Sequence, residues 1–167
     1  MNLKNITLIA VTASCLLQAG AQLFAVSVMA STLSEAPPRS LAILQGEHGY
    51  DSSSFWNIVP MITALLFLVA LVTNWKTQRR KLILVALALF IIAALIAGFF
   101  VEPLFGDILK QGYSDQVDLT MQAQAHRWYV FDWLVWTLSL CSGLVLLVSL
   151  MINQSAVTSR QSSITGV

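Results

Sequence analysis

Residues 82–101 read LILVALALFIIAALIAGFFV, a run of twenty side chains without a single charge. A helix of twenty residues is about 30 Å long, which is also the thickness of the hydrocarbon core of a bilayer. Because a run of this length has no polar face to present to water, it predicts a helix that spans a membrane. This stretch therefore decides the class of the protein.

Three further stretches have the same character, and the predicted spans are residues 6–33, 55–73, 82–101 and 129–152. In the whole chain of 167 residues, 57% are apolar and only 10% are charged, with a mean hydropathy of +0.76. A soluble domain is closer to a quarter charged, so the composition excludes soluble, nucleic-acid-binding and disulfide-scaffold classes. We expect residues 1–153 to form an all-α, antiparallel four-helix bundle in the lipid bilayer. Residues 154–167 are predicted to be a flexible cytoplasmic tail.

The charged residues are separated by the side of the membrane on which they fall. One side has six basic residues and no acidic ones: Lys4, Lys76, Arg79, Arg80, Lys81 and Arg160. The other side has three basic residues and all eight carboxylates. Because Lys and Arg concentrate on the cytoplasmic side, both termini and the short basic turn are predicted to be cytoplasmic. We expect a multi-pass protein of the bacterial inner membrane, with a small extracytoplasmic cap formed by residues 34–54 and 102–128.

One carboxylate is predicted to lie inside a span. Asp132 sits in HRWYVFDW, residues 126–133, about one turn inside the outer interface. An ionisable side chain at that depth faces protein or water and is a functional candidate, the alternative being a hydrated anchor in an aromatic belt. Trp128 and Trp136 lie four residues to either side of Asp132, so they are predicted to share its face.

Two amide side chains point the same way in the first span, because Gln18 and Gln22 are four residues apart. Polar groups at mid-membrane depth must find partners inside the bundle. They bind either another helix or a substrate. We therefore take Gln18 and Gln22, with Trp128 and Trp136, as the candidate substrate-binding residues.

The two histidines of the chain, His48 and His126, both fall on the predicted outer side. If the two outer connections meet, His48, His126 and Glu102 would form a metal site, since imidazole and carboxylate are common metal ligands. The alternative is that both histidines are ordinary surface residues. No other cofactor is predicted.

Small and turn-forming residues give further local predictions. Ala94 and Gly98 form a pair of small residues four apart, which is typical of a close helix contact in membranes. Pro60 is predicted to kink the second span and open a cavity towards the outer face. Pro103 is predicted to end the third span, and Ser114 followed by an aspartate is predicted to begin the helix of the fourth.

Several short motifs together resemble the anthrone oxygenase-like family of small four-span membrane proteins. They are residues 19–24 (AGAQLF), 36–38 (APP), Pro60, 79–81 (RRK), 101–104 (VEPL) and 127–132 (RWYVFD). The resemblance covers about residues 15–150 and implies the same four-helix fold. Some members of that family oxidise anthrones to anthraquinones without a classical cofactor, so the resemblance also implies an oxidoreductase.

The first functional hypothesis is therefore an oxygenase-like enzyme that acts on a lipophilic small molecule at the outer interface. Asp132 would remove a proton from an activated C–H bond, and His126 or Arg127 would stabilise the developing oxyanion. The alternative is a non-catalytic accessory or assembly protein, whose acidic cap binds a partner membrane or periplasmic protein or a second copy of the chain. A transporter is less consistent with the sequence, because no charged residue lies near the centre of a span.

Overall fold

The structure, a computed structural model, describes residues 2–44, 49 and 51–152, and the backbone of residues 153–164. All regular elements in these ranges are helical. They are α1 (Leu3–Phe24), a first π-helical segment (Ala25–Ala30), α2 (Ser31–Glu35), a 3-10 segment (Arg39–Leu44), α3 (Ser53–Thr73), α4 (Arg80–Ile96), a second π-helical segment (Ala97–Val101), α5 (Glu102–Lys110) and α6 (Leu119–Ile164).

These elements form four helical rods that are long and apolar enough to span a membrane: Leu3–Glu35, Ser53–Thr73, Arg80–Lys110 and Leu119–Ile152. The rod of α6 packs against those of α1 and α4, and α3 packs against α1 and α4. The predicted all-α four-helix bundle is thus confirmed. The backbone of α6 is helical as far as Ile164, and the flexibility of the tail stays a prediction.

The two ends of the bundle differ, and we name them by the connections they carry. The loop end carries the two long connections, residues 36–52 and 111–118. The basic end carries the start of α1 and the short connection between α3 and α4, residues 74–79. The side of the membrane on which each end lies is a prediction from the Lys and Arg distribution.

A hydrophobic cluster fills the half of the bundle nearer the basic end. In this cluster the rings of Phe67 and Phe90 join α3 to α4, with their centroids 5.3 Å apart. Hydrogen bonds between helices accompany the apolar contacts, and the Ser142 hydroxyl donates to the carbonyl of Ala86 at 2.8 Å. The buried members are Leu8, Val11, Cys15, Phe67, Ala70, Ile83, Ala86, Phe90 and Leu146.

A buried arginine ties three helices together at the basic end. Arg79 is 5% exposed, and its Nη1 donates to Oδ1 of Asn5 at 2.7 Å. Its Nη2 donates to the carbonyl of Leu150 at 3.4 Å, so the side chain links the starts of α1 and α4 to α6. Loss of hydration lowers the pKa of Arg79 below its ordinary value, but a guanidinium stays charged at neutral pH.

A second hydrophobic cluster forms the cap at the loop end. Here α5 packs on α6, with the ring of Phe105 stacked on Trp128 at a centroid distance of 5.0 Å. The buried members of the cluster come from five elements and are Ala30, Leu33, Leu41, Ile108, Met121, Ala125 and Trp128. The first long connection is therefore part of the packed structure through Leu41, where it is described.

The structure differs from the sequence prediction at Pro103, which does not end the third rod. The chain continues as α5 to Lys110. Proline removes one backbone donor and crowds the carbonyl four residues earlier, which normally breaks a helix. The second π-helical segment ends at Val101, two residues before Pro103, and its wider turn accommodates the proline without a break.

The start of the last helix also differs from the prediction. The carboxylate of Asp118, and not the Ser114–Asp115 pair, caps α6. Oδ1 of Asp118 accepts hydrogen bonds from the backbone amides of residues 120 and 121, at 2.7 and 3.2 Å. Asp115 instead accepts a bond from the hydroxyl of Tyr113 at 2.7 Å, which raises the pKa of that tyrosine. Two candidate caps so close in sequence cannot be distinguished by residue type alone.

The close helix contact predicted at Ala94 and Gly98 lies elsewhere. Ala94 is exposed, and a Cβ added to Gly98 would meet no described atom within 4 Å. The close contact is at Gly143 of α6, where an added Cβ would lie 2.8 Å from Cδ2 of Leu16 in α1. The spacing of small residues does not reveal which face of a helix meets protein, and this explains the difference.

We predict that Gly143→Ala destabilises the bundle by about 1 kcal/mol or more, because Leu16 must move to make room for the new methyl group. Gly98→Ala is the matched control and is expected to be neutral or slightly stabilising, since its methyl group has free space and alanine favours the helix. The measurement is thermal unfolding of both variants in the same detergent. Equal melting temperatures would contradict the close contact.

Candidate functional site

A cavity of about 710 Å³ lies among the four rods, in the half of the bundle nearer the loop end. Cavities of about 300 to 1,000 Å³ are typical of small-molecule sites. Its wall is mostly apolar, and every rod contributes to it. The large apolar side chains that line it are Met29, Leu33, Leu44, Trp56, Phe90, Val101, Phe105, Leu109, Trp128 and Val135.

Both π-helical segments contribute to this wall. Ala25 and Met29 line the cavity from the first segment, and Ala97 and Val101 line it from the second. A π-helical turn inserts an extra residue into a helix, which redirects the side chains that follow, and such turns are frequent at functional sites. Nothing in the residue types of these two stretches distinguishes them from ordinary helix, so they could not be predicted from the sequence.

Asp132 is the ionisable side chain that lies deepest in the cavity wall, and it is 8% exposed. Gln22, which is 6% exposed, lies beside Asp132 across the interface of α1 and α6. Among the described residues, no Lys, Arg or His lines the cavity to balance the carboxylate. The cavity therefore brings Asp132 of α6 together with Gln18 and Gln22 of α1, a meeting that the sequence did not predict.

The two glutamines differ in their surroundings, although both line the cavity. Oε1 of Gln18 accepts a hydrogen bond from the hydroxyl of Thr63 at 3.3 Å, and that hydroxyl is 2.7 Å from Oγ of Ser14. Gln18 therefore helps to join α1 to α3. Oε1 of Gln22 is buried without a hydrogen-bond partner among the described residues. Gln22 thus has bonding capacity that the bundle does not use.

Of the two predicted tryptophans, only one lies in the cavity wall. Trp128 is 7% exposed and lines the cavity, whereas Trp136 does not line it and packs edge-on against Trp133 at 5.2 Å. The lining residues of α6 are Trp128, Asp132, Val135 and Ser139. They recur at intervals of four, three and four residues. Around the axis of an ideal helix, Trp136 is rotated about 40° from Asp132, in the direction away from Trp128 and Val135.

His126 and Arg127 are not brought to Asp132. Both side chains are exposed, and neither lines the cavity. They precede Asp132 by six and five residues, which turns them about 120 to 140° away on an ideal helix. The structure therefore gives them no direct role in chemistry at the cavity.

The predicted metal ligands are only partly described. Glu102 lines the cavity near the loop end, His126 is exposed, and His48 lies outside the described residues. Within the described part of the chain, no group of three or more His, Cys, Asp or Glu side chains is placed to hold a metal ion. The suggested triad stays a prediction.

The mouth of the cavity at the loop end was not predicted. It is lined by Asp51, Ser52, Ser53 and Trp56, where the chain enters α3. Oδ1 of Asp51 accepts a hydrogen bond from the backbone amide of Ser53 at 2.8 Å, which lowers the pKa of Asp51 and keeps it ionised at neutral pH. The aspartate two residues before the helix was the available signal, because such residues bind the first free amides of a helix.

Comparisons with known proteins add no relative: no family model, curated protein or solved structure matches this chain. The resemblance to the anthrone oxygenase-like family therefore stays a prediction.

We predict that a His48→Ala/His126→Ala double variant purified in detergent contains the same amount of metal as the wild type. The reason is that His126 is exposed and separate from the cavity that Glu102 lines. Metal analysis with an absorption spectrum of both proteins provides the measurement. Stoichiometric metal in the wild type that is lost in the variant would establish a metal centre at the loop end.

Proposed function

We propose that the protein binds a lipophilic small molecule in the cavity and that Asp132 exchanges a hydrogen bond or a proton with it. The observation that carries the proposal is a buried carboxyl group, without a basic partner among the described residues, in a largely apolar cavity. Ionisable groups at such a depth are costly and are most often retained for function.

The walls favour a ligand with an aromatic ring. Trp128 and Phe105 form a stacked pair on one wall, and Phe90 lines the deep end. Aromatic side chains bind flat rings through large contact areas and through stacking or edge-on geometry. Asp132 and Gln22 would bind an oxygen-bearing group of the same molecule, since they are the neighbouring polar groups of the buried wall.

An oxygenase-like reaction is the chemistry that the sequence resemblance implies. Asp132, as the carboxylate, would take the proton from an activated C–H bond of the ligand, and the resulting carbanion would add to dioxygen. The proton would then pass from Asp132 to the peroxide, and loss of water from the hydroperoxide would leave a carbonyl group. The amide side chains of Gln18 and Gln22 replace His126 and Arg127 as the groups suited to stabilise the enolate oxygen.

The proposed location is the outer half of the bacterial inner membrane. It is supported by the six basic residues at the side of the short turn, because Lys and Arg concentrate on the cytoplasmic side and this favours a loop end that lies outside. The alternative hypothesis of an accessory protein docked through the acidic cap has less support. Asp118 caps α6 and Asp115 binds Tyr113, so both carboxylates already have partners in their own chain.

Binding is tested by photolabelling with 4-hydroxybenzophenone, a diaryl ketone that inserts into nearby C–H bonds on illumination. The protein is reconstituted in nanodiscs, and labelled peptides are mapped by mass spectrometry. Met29 lines the cavity, whereas Met61 is 72% exposed on the surface of α3 and serves as an internal reference for probe dissolved in lipid. We expect labelling of Met29 relative to Met61 to fall about tenfold in Asp132→Leu. A decrease of this size is what the loss of one buried hydrogen bond to a charged group produces.

Asp107→Leu is the matched control, because Asp107 is exposed and pairs with Lys110 at the surface. It should label like the wild type. Equal labelling of Met29 in Asp132→Leu and in the wild type would remove Asp132 from the binding site. Labelling of Met61 alone would reject the cavity as a ligand site.

Catalysis is tested separately with anthrone as the probe substrate. Asp132→Asn keeps the shape and hydrogen-bonding capacity of the side chain but cannot accept a proton. We expect this variant to keep the Met29 label while anthraquinone formation falls by about a hundredfold or more, the usual contribution of a general base. If both proteins form anthraquinone at the same rate, Asp132 is not the base.

A further inference from the structure

We infer that the ligand enters the cavity from the bilayer, through a gap between α3 and α4, and not from water through the loop end. The inference rests on the proposed function, because it describes the route to the same cavity. It defines the ligand as a membrane-dissolved amphiphile, with a hydrogen-bonding group at one end and hydrocarbon at the other.

The first observation is that α3 is packed into the bundle along only part of its length. The buried residues of α3, which is described throughout, are Thr63, Phe67 and Ala70. No residue of α3 before Thr63 is buried, although this stretch covers three turns of helix. Trp56 and Pro60 from this stretch line the cavity and are half-buried. The half of α3 nearer the loop end is therefore one side of an incompletely filled gap.

The second observation is on the facing helix, where the residues that line the gap are small. Ala93, Ala94 and Ala97 line the cavity along α4 and the second π-helical segment. Ala93 is buried, Ala97 is half-buried and Ala94 is exposed. A residue that both lines the cavity and is exposed marks a place where the wall is open. Larger side chains at these positions would close it.

The other walls are closely packed or unsuitable for an apolar molecule. Gly143 and Leu16 bring α6 and α1 into close contact at the deep end of the cavity, and α6 packs along α4 on the other side. The mouth at the loop end is lined by two carboxylates, Asp51 and Glu102, together with serines. A lipophilic molecule that entered there would first have to leave the bilayer for water and then pass charged groups, which is unfavourable on both counts.

The positions of the polar groups give the ligand its direction. Asp132, Gln22 and Ser139 lie on α1 and α6, on the buried side of the cavity. The gap between α3 and α4 is lined by Pro60, Trp56 and alanines. A ligand that enters through the gap therefore places its hydrogen-bonding end innermost, and its hydrocarbon end remains near the lipid.

The route is tested by filling the gap and following the kinetics of labelling. Nanodiscs that contain the protein are mixed with vesicles loaded with 4-hydroxybenzophenone and illuminated after increasing delays. The label on Met61 reports arrival of the probe in the bilayer, and the label on Met29 reports entry into the cavity. We expect Ala94→Trp to slow the appearance of the Met29 label relative to the Met61 label by about tenfold. Association rates among variants of one binding site typically differ by about one to three powers of ten, so a tenfold change lies within that range.

Ala88→Trp is the matched control, because Ala88 is exposed on the same helix and does not line the cavity. It should follow the wild type. Ala94→Leu, a smaller change at the same exposed position, should give an intermediate rate and guards against misfolding of the tryptophan variant. Ser53→Trp narrows the mouth at the loop end and should slow the Met29 label less than Ala94→Trp does.

The outcomes separate the two proposals. A wild type that is labelled at Met61 but never at Met29 rejects the proposed function, and the route is rejected with it. A wild type that is labelled at Met29 while Ala94→Trp is labelled at the same rate rejects the lateral route alone. A larger effect of Ser53→Trp than of Ala94→Trp would likewise overturn the route, in favour of entry from water.

Discussion

Hydrocarbon offers no hydrogen-bond partners, so every polar side chain inside the bundle must be satisfied by another helix or by something bound between the helices. Several of them meet this constraint by joining helices: Ser142 binds the backbone of α4, and Thr63 joins Gln18 and Ser14. Gln22 and Asp132 are different, because they face a cavity that the protein does not fill. The same constraint that explains the packing therefore also marks the site.

The two halves of the bundle are packed in different ways. Near the basic end, large apolar side chains fill the interior and Arg79 fastens three helices. Near the loop end, the stacked pair of Phe105 and Trp128 packs α5 on α6 and leaves the mouth of the cavity beside the start of α3. The cavity lies between these two packed regions, which hold α1, α4 and α6 in place around it. α3 is held mainly from Thr63 onward, so the cavity has one loosely packed wall.

The sequence predicted the features that depend on local composition. The four spans, and the shared face of Gln18 and Gln22, follow from hydropathy and from helical periodicity. That this face lies opposite Asp132 depends on how α1 and α6 pack, and it was not predicted. What could not be predicted depends on small rotations. Trp136 lies only about 40° from Asp132 on an ideal helix, yet it falls outside the cavity because the neighbouring helix determines where the buried face ends. The π-helical segment before Pro103 and the contact at Gly143 likewise depend on tertiary packing, which residue types do not encode locally.

The tie at Arg79 has a mechanical consequence for the whole bundle. Arg79 fastens α1, α4 and α6, whereas α3 is held mainly from Thr63 to Thr73, where the hydroxyls of Thr7 and Thr73 are 2.9 Å apart. A small change in the tilt of α3 therefore becomes a larger displacement at its other end, beside the cavity. The width of the opening beside Ala94 would then vary with the tilt of α3. Helix tilt in turn responds to acyl-chain length, because a helix that is longer than the hydrocarbon core is thick adjusts by tilting. The thickness of the surrounding bilayer would therefore control the rate at which the ligand enters the cavity.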